Sequence, residues 1–457
     1  MRPAEGSRGP LGQRAAAFAI AAVLIGVPAV VLRVLCVGDS CSTSAQASAE
    51  TPFCSLPDGL RRSISAAVRD GRSGELLAAT RKPRVIGGSA FKVASKQPLW
   101  PSLQSSQKVP IVFAGSGVQE GVALSPGAGL DDVAPTIARV LGFDRSHPEI
   151  RSGEALDEAA VPQATPPRLV VVIAWKGVGS NELRSEEGSW PTLQRLMEGG
   201  ASTVEGDNNA LSADPAGPLT TLGTGGVPAQ HGMTGTLLRN DAGRLVTAWG
   251  PGSPINVIAT LSEDIDEALA QAPLIALVGS EPVDHGLVGG DWYVRHDRDQ
   301  VSMLSQESPP VRLAEQAVKM LELTALGNDE IPDLLAVALD GPLRRLDDAL
   351  AMVVDAASNA AGEDVLVVVA GTGSDGGDAG GLPASDLVQR VEDRVPGPEK
   401  VVEAVAPGEV FVDQEVLAER QVSDDVVLDA LLRVEDADGP LFADVFPSVA
   451  VTFGRFC

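Results

Sequence analysis

The sequence predicts an α/β protein whose mainly parallel sheet is covered by helices on both faces. Three observations predict it. Leu169 to Trp175, LVVVIAW, is an unbroken apolar run, as a strand buried on both faces requires. Leu334 to Leu339 and Asp364 to Ala370, DVLVVVA, repeat that character downstream. Between these runs, Val311 to Leu323 and Leu343 to Ala357 carry apolar residues at helical spacing. Strands alternating with helices imply crossovers between parallel strands.

The elements before the first long strand are fewer. Ala15 to Leu32 is one apolar run, long enough to cross a bilayer as a helix. Arg2, Arg8 and Arg14 precede it, so the N-terminus is expected in the cytoplasm and the remainder outside. The expected organisation is a cytoplasmic tail at 1–14, a transmembrane anchor or signal at 15–35 and a stalk at 36–52. An extracytoplasmic domain at 53–457 follows, made of an earlier segment at 53–161 and a main part at 168–457. Within the earlier segment, Val109 to Ala114 reads as a short strand and Leu130 to Leu141 as a helix stopped by Gly142. The run Gly371 to Gly381 reads as a flexible loop.

Charge narrows the partners. Asp plus Glu number 61 against 35 Lys plus Arg, a net charge of −26, which argues against a nucleic-acid partner, since that needs a basic footprint. The expected contacts are the membrane, through the N-terminal helix, and an unidentified envelope ligand or protein. The four cysteines are Cys36, Cys41, Cys54 and Cys457, and none has the spacing of a zinc site. An oxidising exterior permits disulfides. A clasp between Cys54 and Cys457 is the expected pairing, although spacing does not fix connectivity.

The active crevice of such a sheet lies at the carboxyl ends of its strands. The candidate positions therefore follow Trp175, Leu339 and Ala370, which singles out Lys176, Asp340 and Asp375. After the first strand come Trp190-Pro-Thr-Leu and Gly199-Gly200, then Ser212-Ala-Asp-Pro and Thr221-Leu-Gly-Thr224-Gly225, then Pro228-Ala-Gln-His231-Gly232. In this order the motifs resemble the alkaline phosphatase superfamily, in its type I phosphodiesterase/nucleotide pyrophosphatase branch. Val109–Val118 followed by Asp131-Asp-Val-Ala-Pro-Thr136 resembles a segment that the family carries near its C-terminus, which implies a circularly permuted order.

The resemblance implies two divalent ions, zinc or manganese, held by Asp and His, and a Thr or Ser nucleophile. The match places Ser212 or Thr221 near the nucleophile position, and His231 where the family orders a turn. This chain departs from the pattern at the metal ligands. Lys176 stands at the strand end where a ligand Asp is expected, and Gly376 follows Asp375 where a His is expected. Lys176 is expected to pair with Asp340 or Asp375 in place of the ion. Asp284-His285-Gly286 spells the family's metal triplet but reads as a chance match. His147 reads as surface and His296 as part of a solvated charge run. The expectation is a membrane-anchored, non-catalytic member with a ligand- or partner-binding role. An active phosphodiesterase or phosphatase with rearranged ligands, and a structural envelope protein, are the alternatives.

Overall fold

A computed structural model describes residues 52–454 apart from 88–97, 99, 103–106, 291–298 and 375–380. The expected tail, anchor and most of the stalk, together with Cys36, Cys41, His296, Asp375 and Cys457, lie outside the described residues. No described helix is long and apolar enough to cross a membrane.

Eight strands form the main sheet: β1 Lys108–Gly115, β2 Val122–Ala123, β3 Leu169–Lys176, β4 Gly200–Asp207, β5 Ile275–Gly279, β6 Gln300–Met303, β7 Asp333–Asp340 and β8 Val365–Gly371. Their spatial order is β6-β5-β7-β3-β8-β1-β4-β2. β1 pairs antiparallel with both β8 and β4, and every other pairing is parallel. The expected mainly parallel sheet is therefore present, with one reversed strand near its middle.

The alternation of side chains along β3 explains its unbroken apolar run. Val170, Val172 and Ala174 enter one core, while Leu169, Val171, Ile173 and Trp175 enter the other. Both faces are covered, so neither tolerates polar residues. The first core holds α1 (Val133–Leu141) and α2 (Ala216–Thr224). The second holds α3 (Pro310–Leu323) and α4 (Leu343–Ala361). A turn of 3-10 helix, Leu130–Asp132, leads into α1, and Gly142 stops it at φ 78°.

A second sheet is absent from the sequence reading. Four antiparallel strands, Val402–Ala406, Glu409–Val412, Leu76–Thr80 and Phe442–Pro447, lie side by side in that order. Helices Ala384–Glu392 and Asp424–Leu432 complete its separate core. Its strands are short and mixed in polarity, so no continuous run marks them. Leu76 pairs with Pro447 and Ala78 with Val445, which brings the early and late parts of the chain together. Phe53 meets Phe446 edge-on, with ring centroids 5.6 Å apart. A Cβ on Gly454 would collide with the Phe53 ring, so the two ends of the described chain touch.

Candidate functional site

The parallel register sets Asp340 opposite Lys176 at the carboxyl end of the sheet. Their side chains do not form the expected pair. Lys176 Nζ instead donates to Glu281 Oε2 at 2.6 Å and to Asp284 Oδ1 at 2.9 Å. Asp375, the other expected partner, lies outside the described residues. Asp284 of the Asp284-His285-Gly286 triplet therefore holds the strand-end lysine.

The pairing of Lys176 with Glu281 and Asp284 has a physical reason. Glu281 and Asp284 follow β5, two strands away from β3, in and before the 3-10 turn Pro282–Leu287. That turn is pressed onto α2 by glycine. A Cβ on Gly286 would lie 2.7 Å from Thr220 Oγ1 and 2.8 Å from the Thr220 amide nitrogen. The close approach draws the turn across the end of β7 and delivers its carboxylates to Lys176. Asp284 Oδ2 also accepts the amides of Ser280 and Glu281 at 2.7 and 2.9 Å, so it is fixed from both sides. Gln306 Nε2 donates to Glu281 Oε1 at 2.6 Å.

The Lys176 side chain is 3% exposed, and the Glu281 and Asp284 side chains are 3% and 0% exposed. Burial alone favours the neutral amine, but Asp284 and Glu281 outweigh it and hold the ammonium well above its usual range. His285 sits beside this group, its Nδ1 3.0 Å from the Gly289 carbonyl oxygen.

The predicted nucleophile segment is anchored to the same sheet end. Asn208 Nδ2 donates to the carbonyls of Ser212 and Thr372 at 3.0 and 3.2 Å, which ties the segment to the residue following β8. Thr372 Oγ1 accepts the Gly177 amide at 3.0 Å, just past Lys176. Ser212 is buried, and its Oγ accepts the Asp214 amide at 3.3 Å. Asp214 is buried as well and takes the Thr236 hydroxyl at 2.5 Å and the Ala216 amide at 3.2 Å. The structure therefore gathers Lys176, Ser212 and Thr372 at one edge. Asp284 and Asn208, which carry much of that assembly, are not among the predicted site residues.

Thr221 lies deeper, within α2. His231 Nδ1 accepts the Met233 amide at 3.1 Å, and Nε2 lies 3.1 Å from Thr221 Oγ1. A ring nitrogen that accepts an N–H bears no proton, so the neutral ring carries its proton on Nε2 and donates it to Thr221. Burial, reinforced by Arg69 and Arg72, pushes the imidazole down to about 3, so the ring stays neutral. This pair braces the turn after α2, and His231 offers Thr221 no base. Thr221→Val should destabilise by roughly 1–3 kcal/mol, the cost of leaving a buried donor unmet. Denaturant unfolding of that variant measures it, and a change near zero would remove the bracing role. His147, by contrast, is a surface residue, with a side chain 76% exposed.

No family model matches the sequence, and no curated protein matches it. Solved structures that resemble the fold include the wild-type alkaline phosphatase PafA, with a TM-score of 0.44 and 15% identity over 60% of this chain and 76% of that one. A substituted form of the same phosphatase aligns with a TM-score of 0.40 and 14% identity, over 60% of this chain and 77% of that one.

Proposed function

We propose that the chain is an alkaline-phosphatase-like protein of the cell envelope that binds a ligand or partner without catalysing hydrolysis. The observation that carries this reading is the Lys176 clamp. Among the described residues, Glu281 and Asp284 bring two carboxylates to the sheet end, and both already hold an ammonium. A fixed cation at 2.6 and 2.9 Å from these oxygens repels a second one. Among the described residues no group of three or more His, Cys, Asp or Glu could hold a metal ion, so their donor set does not fit the metal pair that the family resemblance implies. Elemental analysis of the purified protein should find less than one equivalent of zinc or manganese. An aryl phosphodiester should be hydrolysed no faster than in buffer alone. Two bound metal equivalents with turnover would overturn the reading and put a hydrolase with rearranged ligands in its place.

The proposal includes export, the permuted motif order and the Cys54–Cys457 clasp. The Arg-flanked apolar run supports export. Two features support the clasp: Cys54 carries a disulfide, and Gly454 touches Phe53, the neighbour of Cys54. A bridge closing so long a loop contributes roughly 6 kcal/mol in the chain-entropy account. Non-reducing peptide mapping should recover the 54–457 linkage from exported protein. Pairing of Cys54 with Cys36 or Cys41 would sink it.

A further inference from the structure

We propose that a cavity of about 680 Å³ beyond the C-terminal end of α1 binds a small molecule carrying a phosphate or carboxylate group. None of its lining residues belongs to the Lys176 site. Three arginines are among its lining residues, Arg139, Arg145 and Arg151, against one acidic residue, Asp144. Such a concentration of cations stands out in a chain whose net charge is −26.

Two of the three are committed to the protein and still carry an excess of charge. The Arg145 and Arg151 side chains are 5% and 4% exposed. They share a single buried carboxylate, Asp264, at 2.7 and 3.2 Å. Arg145 Nη2 also donates to the carbonyl of Thr224, the last residue of α2, at 2.9 Å. Arg145 Nη1 and Arg151 Nε nevertheless find no hydrogen-bond acceptor among the described residues. Burial, with repulsion from Arg151 and against the pull of Asp264, lowers the Arg145 guanidinium to about 10. Two buried cations facing one anion are costly, and an oxyanion in the adjoining cavity offsets that cost.

The third guanidinium supplies the adjustable contact. Arg139 is 58% exposed at the rim, and its partner Asp157 is 76% exposed, at 2.7 Å. An exposed pair of this kind holds weakly, so Arg139 is free to turn onto a ligand. Pro135, Phe143 and Pro148 form apolar wall around the cations and suit an apolar body attached to the anionic group.

Titration calorimetry on the full chain in mild detergent, at constant ionic strength, tests the site with inorganic phosphate and with benzoate. At least one should bind saturably, and the tighter of the two identifies the anionic group as phosphate or carboxylate. Arg139→Glu should weaken binding at least fivefold with little change in melting temperature. Asp157→Asn, which frees Arg139, should tighten it. The proposal is overturned if neither probe binds, or if Arg139→Glu binds as the wild type does. Because the cavity shares no residue with the Lys176 site, these outcomes do not depend on whether that site is catalytic.

Discussion

Replacing Lys176 by Met should cost about 3–5 kcal/mol, the usual consequence of removing one partner from a buried ionic group. Methionine keeps most of the side-chain volume, so the loss reports charge and not a cavity. Glu281 and Asp284 would then face each other as carboxylates without a counter-charge, with side chains 3% and 0% exposed. One of them must take up a proton or the turn must open. Urea unfolding of Lys176→Met against wild type measures the loss. Adding Glu281→Gln to Lys176→Met should recover part of it, since the second substitution removes the stranded charge. A loss below about 1 kcal/mol would show that the clamp does not hold the sheet end together.

The second large effect is a dependence of stability on pH. Glu409 lies in the second sheet and is buried, and burial above all pushes its carboxyl up to about 8, with Asp214 and Glu75 adding to the rise and Ser73 opposing it. A Cβ on Gly235 would lie 3.5 Å from Asp214 Oδ2 and 3.7 Å from Glu409 Oε2, so both acids border the same glycine. The folded protein keeps the Glu409 proton in a range where the unfolded chain has released it. Below about pH 4.5 both states are protonated, and the contribution is complete. It is lost as pH rises from there to about 8. The span corresponds to an effect on the order of 5 kcal/mol. His231 acts in the opposite sense: its folded value of about 3 lies below the ordinary 6.5, so its contribution is lost as pH falls between them. The two overlap in mildly acid solution, so the comparison must be between wild type and Glu409→Gln. The stability difference between those two proteins should change steadily across pH 5 to 8, and a constant difference would refute the assignment.

Much of the main sheet was legible because burial on both faces leaves an unmistakable mark. Leu169 to Trp175 and Val365 to Ala370 could hardly be anything else. The second sheet left no such mark, since strands such as Val402–Ala406 are only a few residues long and are interrupted by charged residues such as Glu403. At the site, sequence located Lys176 and its strand end but misplaced its partners. Asp340 is adjacent in register, and adjacency was the natural inference. The actual partners arrive from a turn two strands away, and what brings them there is the approach of Gly286 to α2. Contacts of that kind depend on how a loop packs on a distant helix, which spacing along the chain does not encode.

The pairing of Leu76–Thr80 with Phe442–Pro447 has a mechanical consequence. Leu76 is matched to Pro447 at the edge nearer both chain ends, and Thr80 to Phe442 at the far edge. Tension applied between the two ends would load this ladder one rung at a time, beginning at Leu76. A zipper loaded in that way yields at far lower force than strands pulled in shear, where all rungs resist together. A covalent link between residues 54 and 457 would carry the load around the ladder. A protein pulled from both ends would then resist through one covalent bond what its hydrogen bonds resist only in succession.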